Sequence, residues 1–203
     1  MSTASATQTP PSTPEIEEIR VSWEEFQGDH MEREDGYEYE WLDGIVERNP
    51  YSMDKLQLFI LRNLQELFFK LKFEKKLTGQ LIAEADLFFG KHHRRPDVCW
   101  LTDRQIDRLA DGMYEVPTFV IEVISKTDAI ARVHDKMQDY RKSGVKVVWH
   151  IFPKHEEIHI YTGEELNNMS IRKGDKICSA APVLDNFELS AEQIFRKEIS
   201  EPE

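Results

Sequence analysis

The chain has 203 residues, 40% of them hydrophobic and 10% aromatic, a composition that buries a core and excludes a wholly disordered chain. No stretch reaches the roughly 18–20 apolar residues of a membrane span, and no basic patch followed by an apolar run marks a secretory signal. Two cysteines, Cys99 and Cys178, form neither a disulfide framework nor a zinc pattern, so a reduced, cytoplasmic location is expected. The formal net charge is -12, but it is unevenly spread. Glu15 to Arg48 holds 13 acids and 3 bases, whereas Phe88 to Lys146 holds 9 acids and 11 bases. A polyanion therefore has a docking region in the middle of the chain, without a strongly basic footprint.

Residues 1–14 are rich in Ser, Thr, Pro and Ala and carry no charge, which predicts a disordered tail; a single domain is expected over residues 15–199. Ser22 and Glu25 form a capping-box pattern and predict a short helix. The alternating segment Tyr37 to Glu47 contains Asp43-Gly44, a hairpin signal. Leu56, Phe59, Ile60, Leu64, Leu67, Phe68 and Leu71 recur at helical spacing, predicting a helix over Tyr51–Phe73. Leu58, Leu61 and Phe69 extend its apolar surface, so the helix is expected either to be well buried in the domain or to be partly covered by a second subunit, as in a homodimer. Leu81, Ala83, Ala85, Leu87 and Phe89 alternate as one half-buried strand, Lys91–Arg95 reads as a basic turn, and Pro96–Leu101 reads as another strand. A surface helix is expected at Asp103–Ala110. Thr118–Ile124 reads as a central strand, apolar on both faces except for one residue. A helix over Ala129–Ser143 ends at Gly144. Val145–Phe152 and Glu157–Tyr161 form the next hairpin, and a short helix starts near Ala191. This order predicts an α/β (α+β) fold around a mixed sheet.

The one polar residue of that central strand is Glu122. A carboxylate there costs several kcal/mol unless it is paired, protonated or bound to a metal; the plainer reading is a strand-end acid reaching solvent or an Arg. Asp97, after Arg95-Pro96, reads alone as a turn or strand-edge acid. If the two strands share a sheet, these carboxylates stand side by side and offer the hard oxygens that Mg²⁺ or Mn²⁺ uses with substrate phosphate. Arg132, Lys136 and Tyr140 fall on one face of the following helix, a stripe that faces either phosphate or solvent. His92-His93 beside Arg94-Arg95 reads as a phosphate contact or a solvated turn. Glu84 and Asp86 read as extra metal ligands or solvent-facing acids, and Cys99 as core packing. No P-loop, dinucleotide loop or nucleophile elbow is present.

The strings Arg95-Pro-Asp-Val98, Val120-Ile-Glu-Val-Ile-Ser125, Asp135-Lys136 with Tyr140, Gly144-Val145 and Val148-Trp149 occur in an order that resembles the Uma-two family of restriction-endonuclease-like proteins, in the PD-(D/E)XK nuclease superfamily. Glu40-Trp-Leu-Asp-Gly44 resembles its N-terminal element and Val183 to Phe195 its closing segment, so the resemblance spans residues 20–197. It implies a restriction-endonuclease-like core with a mixed sheet flanked by helices. It also implies Mg²⁺-dependent cleavage of nucleic acid, and the expectation taken from it is an endonuclease acting on DNA, with RNA left open. Asp97 and Glu122 would be metal ligands, Lys136 the charge-stabilising or water-orienting lysine, and Glu40 a further acid of the site. Three positions depart from the pattern. Ile124 stands where the superfamily has its lysine, which here comes from the helix as Lys136. Lys126 replaces the family's usual Pro and is an alternative amine. The His that opens the family's long helix has its nearest counterpart at Lys55. Ile124 and the acidic balance support the competing expectation of a catalytically weak or inactive nuclease-derived binding or regulatory module.

Overall fold

In the computed structural model, which describes residues 20–50, 55–125 and 128–198, Ser22 caps the first helix, α1 (Trp23–Asp29). Its side chain accepts the Glu25 N–H, and the Glu25 carboxylate accepts the Ser22 N–H in return. The antiparallel hairpin β1 (Tyr37–Leu42) and β2 (Ile45–Pro50) turns at Asp43 and Gly44, whose φ values of 48° and 101° are those of a primed turn. The long helix α2 (Lys55–Phe73) buries Ile60, Leu64 and Phe68; each such side chain contributes roughly 1.5–3 kcal/mol relative to exposure. Leu58, Phe69 and Phe73 remain exposed. The expected tail, the first four residues assigned to the long helix, and Lys126 lie outside the described residues.

Two segments depart from the elements that their sequence pattern predicts. The alternating segment from Leu81 to Phe89 is two strands, β3 (Gln80–Ala83) and β4 (Leu87–Phe89). Glu84 between them takes a left-handed φ of 51°, which breaks the extended chain and sends the two halves to different sheets. The basic segment is also not a solvated turn. His92–Arg94 is strand β5, paired with β4 and β1, and His93 and Arg94 are buried because the fold supplies aromatic and carboxylate partners for them.

The remaining elements are β6 (Val98–Leu101), α3 (Asp103–Ala110), β7 (Phe119–Val123), α4 (Ile130–Lys142), β8 (Val147–Phe152), β9 (Glu157–Thr162), β10 (Asn168–Lys173), β11 (Ile177–Ala180), β12 (Leu184–Ser190) and α5 (Ala191–Phe195). The larger sheet has the order β10-β9-β8-β7-β6-β3. β7 and β8 run parallel, and every other pair is antiparallel. A parallel neighbour requires a crossover, and α4 provides it. The smaller sheet has the order β2-β1-β5-β4, and β11 pairs with β12. The fold is thus a mixed sheet flanked by helices. One core joins α2 and α5 to Phe119, Trp149 and Phe187. The other joins α4, through Met137 and Tyr140, to Cys99, Val120 and Val148 of the larger sheet and to Leu87 and Phe89 of the smaller. Helix α4 is therefore held by both sheets, and Cys99 is a packing residue.

Candidate active site

The β6–β7 register pairs Val98 with Ile121. One further step of that register brings Asp97, just before β6, opposite Glu122, whose side chain meets α4. Glu122 is 6% exposed, and Asp97 is half-buried at the strand entrance. The Asp97 carboxylate accepts the Val123 N–H at 2.6 Å and the Gln57 side-chain amide, from α2, at 3.0 Å. Asp97 opens on a cleft lined by Gln57, Leu58, Glu84, Val98 and Val123. Burial, reinforced by the neighbouring Glu122 charge, pushes its carboxyl up to about 8. Burial also raises Glu122, against the opposing pull of Lys136 and the Tyr140 hydroxyl.

Two residues of the helical stripe reach Glu122 from α4. Tyr140 donates its O–H to Oε1, and the Lys136 ammonium lies 3.4 Å from Oε2. Arg132, the third, instead pairs with Asp128 at 2.8 Å. Lys136 also lies 3.0 Å from Glu40 Oε1 and 3.4 Å from the Arg95 carbonyl oxygen. Burial disfavours its charge, but Glu122 and Glu40 more than compensate and raise the ammonium well above its ordinary range. Lys136 is a permanent cation between the two sheets.

Glu40 projects from β1 and is fully buried. Its Oε1 accepts from Lys136 and from the Arg95 N–H at 3.1 Å, and its Oε2 from Arg94 Nη1 at 3.0 Å. Burial pushes this carboxyl up, yet Lys136 and Arg94 override it and bring it down to about 2. Glu40 thus stands in this cluster as the counter-ion of Lys136.

Sequence reasoning missed three residues of this constellation. Glu38 shares a strand face with Glu40 by period two. Burial raises it to about 7, with the Lys136 charge opposing the rise and those of Glu40 and Glu122 adding to it; the alternation Tyr37-Glu-Tyr-Glu40 was its available signal. Arg94 was read as part of a turn. Gln57 meets Asp97 two positions beyond Lys55, and its helical position facing the strand entrance carried no chemical signal of its own. The other candidates have partners of their own, and of these only Glu84 lines the Asp97 cleft. His93 packs among Trp23, Phe26 and Phe88, with Nε2 3.1 Å from Asp86. Arg95 holds Asp86 at 2.7 Å. His92 Nδ1 lies 2.8 Å from Asp139 Oδ1. Glu84 donates its backbone N–H to the Asp97 carbonyl at 3.2 Å.

Among the described residues, no three His, Cys, Asp or Glu side chains stand at metal-ligating spacing. The chemistry of the donor set nevertheless fits a divalent cation. Asp97 and Glu122 offer hard carboxylate oxygens, and burial is the main cause that raises the Asp97, Glu38 and Glu122 carboxyls, a cost that a divalent cation would offset.

The family model of putative restriction endonucleases, Uma2, matches residues 23–192. The chain belongs to the Uma2 family. Glu40, Asp97, Glu122 and Lys136 all fall inside the matched span. Among solved structures, a putative nuclease belonging to DUF820 from Anabaena variabilis ATCC 29413 is similar, with a TM-score of 0.64 and 18% sequence identity. The match covers 77% of this chain and 89% of that one, and at this identity it is a likeness of fold. No curated protein matches the chain. The Uma2 fold observed here is the mixed sheet and flanking helices that the sequence strings imply. No helix among the described residues is long and apolar enough to cross a membrane.

Proposed function

We propose that this Uma2 protein is an endonuclease that hydrolyses DNA phosphodiester bonds with Mg²⁺ or Mn²⁺, held by Asp97 and Glu122. The observation that supports this reading best is the buried Lys136 ammonium 3.4 Å from Glu122, with Asp97 opposite Glu122 in the register. Bound at these carboxylates, the cation supplies positive charge to phosphate oxygens and makes water more acidic. The chain's own residues do the rest. Lys136 keeps its proton, so it acts as fixed positive charge beside the scissile phosphate rather than as a base. Tyr140 and Gln57 hold the Glu122 and Asp97 carboxylates in orientation. Glu40, itself held by Arg94 and the Arg95 N–H, keeps Lys136 in place.

The test is nicking of supercoiled plasmid with Mg²⁺ or Mn²⁺, against EDTA and against Asp97→Ala and Glu122→Ala. Cation-dependent nicking that both variants lose supports the assignment. Nicking that survives in both folded variants overturns it. A folded wild type that binds DNA without cutting it favours the binding module.

A further inference from the structure

Arg94 is buried to 1% exposure and serves three carboxylates. Its Nε lies 2.8 Å from Asp139 Oδ2, and its Nη2 reaches the same oxygen at 2.8 Å. Its Nη1 lies 3.0 Å from Glu40 Oε2 and 3.3 Å from Glu47 Oε2. Asp139 and Lys136 sit on the same helix, three positions apart, and Glu40 Oε1 takes the Lys136 ammonium at 3.0 Å. The contacts close a ring: α4 through Asp139 to Arg94 on β5, to Glu40 on β1, and back to α4 through Lys136. Only Lys136 of this ring also touches Glu122 on the larger sheet.

We infer that Asp139 and Arg94 are positioning residues which, through Glu40, fix where the Lys136 ammonium stands over Glu122. The inference rests on the nuclease reading for its catalytic consequence, but not for its geometry. A guanidinium suits the task because its planar fork meets Asp139 on one edge and Glu40 on another, in fixed relation. A lysine at position 94 keeps the charge and reaches only one of them. Asp139→Asn weakens the hold on Arg94 while preserving side-chain volume. Neither change removes a donor from Asp97 or Glu122.

The experiment compares wild type, Arg94→Lys and Asp139→Asn by three readouts. These are the single-turnover nicking rate, Mn²⁺ affinity by calorimetry, and pulsed acetylation of lysines followed by mass spectrometry. The expected result is a rate loss of about 10–100-fold, the usual effect of removing a partner that orients an active group. Mn²⁺ affinity stays within about threefold of wild type, because the cation's own donors are intact. Lys136 gains acetylation, while Lys72, anchored to the Gly79 carbonyl at 2.8 Å, does not. Unchanged rate and unchanged Lys136 labelling in both variants overturn the inference. So does a general rise in labelling with loss of Mn²⁺ binding in both, which marks a role in holding the fold only. If folded wild type does not nick DNA, the nuclease reading fails, and Lys136 labelling alone decides whether the ring positions the ammonium.

Discussion

Lys136 and Glu122, 14 positions apart in the chain, meet at 3.4 Å inside the protein. Lys136 is held by Glu122 and Glu40 together, and removing it leaves buried carboxylates without their cation, which costs several kcal/mol. Lys136→Met is therefore expected to lower stability by about 3–5 kcal/mol, since it leaves Glu122 and Glu40 facing each other. It should also slow DNA cleavage about 10²–10³-fold through loss of fixed positive charge at the phosphate. The double variant Lys136→Met/Glu122→Gln removes both partners and should recover part of the stability but none of the activity. Urea melts and plasmid nicking of the three proteins check this; a double variant no more stable than the single one contradicts the pairing.

Stability of the metal-free protein should fall as pH rises from mildly acidic to mildly basic. Burial and Glu122 raise Asp97 from 3.8 to about 8. Between those values the folded chain therefore holds a proton that the unfolded chain has released, and unfolding becomes easier with increasing pH. Glu38 acts in the same direction between 4.5 and about 7. Glu40, lowered to about 2, acts oppositely, and its contribution is lost as pH falls from 4.5 toward 2. The urea midpoint in EDTA should be lower at pH 8 than at pH 5, and Asp97→Asn should flatten the difference. Mg²⁺ at about a hundred times its Kd should restore about 2.7 kcal/mol at pH 8. A midpoint that rises with pH in EDTA contradicts this charge pattern.

The parts of the fold that rest on local chemistry were legible in the sequence. Ser22 with Glu25, Asp43-Gly44 and the spacing from Ile60 to Leu71 each act within a few residues, and each appears where expected. Glu122 stood out because it interrupts an apolar strand, and Lys136 through the family strings, since its helix face alone left it open between phosphate and solvent. The break at Glu84 was not legible, since apolar alternation runs through it without a Pro or Gly. Nor was Arg94: in sequence it is one of a run of basic residues, and its burial depends on Asp139, 45 positions away, and Glu40, 54 positions away. Such contacts exist only once α4 lies against both sheets.

Among the described residues, Gln57 supplies one of the two hydrogen bonds that fix the Asp97 carboxylate, at 3.0 Å. Gln57→Leu should weaken Mn²⁺ binding about 10-fold or more, the usual effect of losing a partner that orients a ligand. Thermal stability should change little, because α2 stays anchored by Ile60, Leu64 and Phe68. Gln57→His, which keeps a donor at this position, should bind the cation nearly as wild type does. Calorimetry on the two variants separates the outcomes: equal weakening in both means that the contact is one of shape, not of hydrogen bonding.

Tyr140 is fully buried and donates its hydroxyl to Glu122 Oε1. Tyr140→Phe removes that donor without opening a large cavity, and loss of a hydrogen bond to a charged group costs about 1.5–3 kcal/mol. The bond also draws the Glu122 carboxyl down against the rise that burial imposes. Without it, Glu122 holds its proton more tightly, and a cation must displace that proton before it binds. The variant's deficit in Mn²⁺ affinity should therefore be larger at pH 6.5 than at pH 8.5, and the acidic limb of its nicking profile should move to higher pH. A deficit of equal size at both pH values would show that the hydroxyl orients Glu122 without tuning its proton affinity.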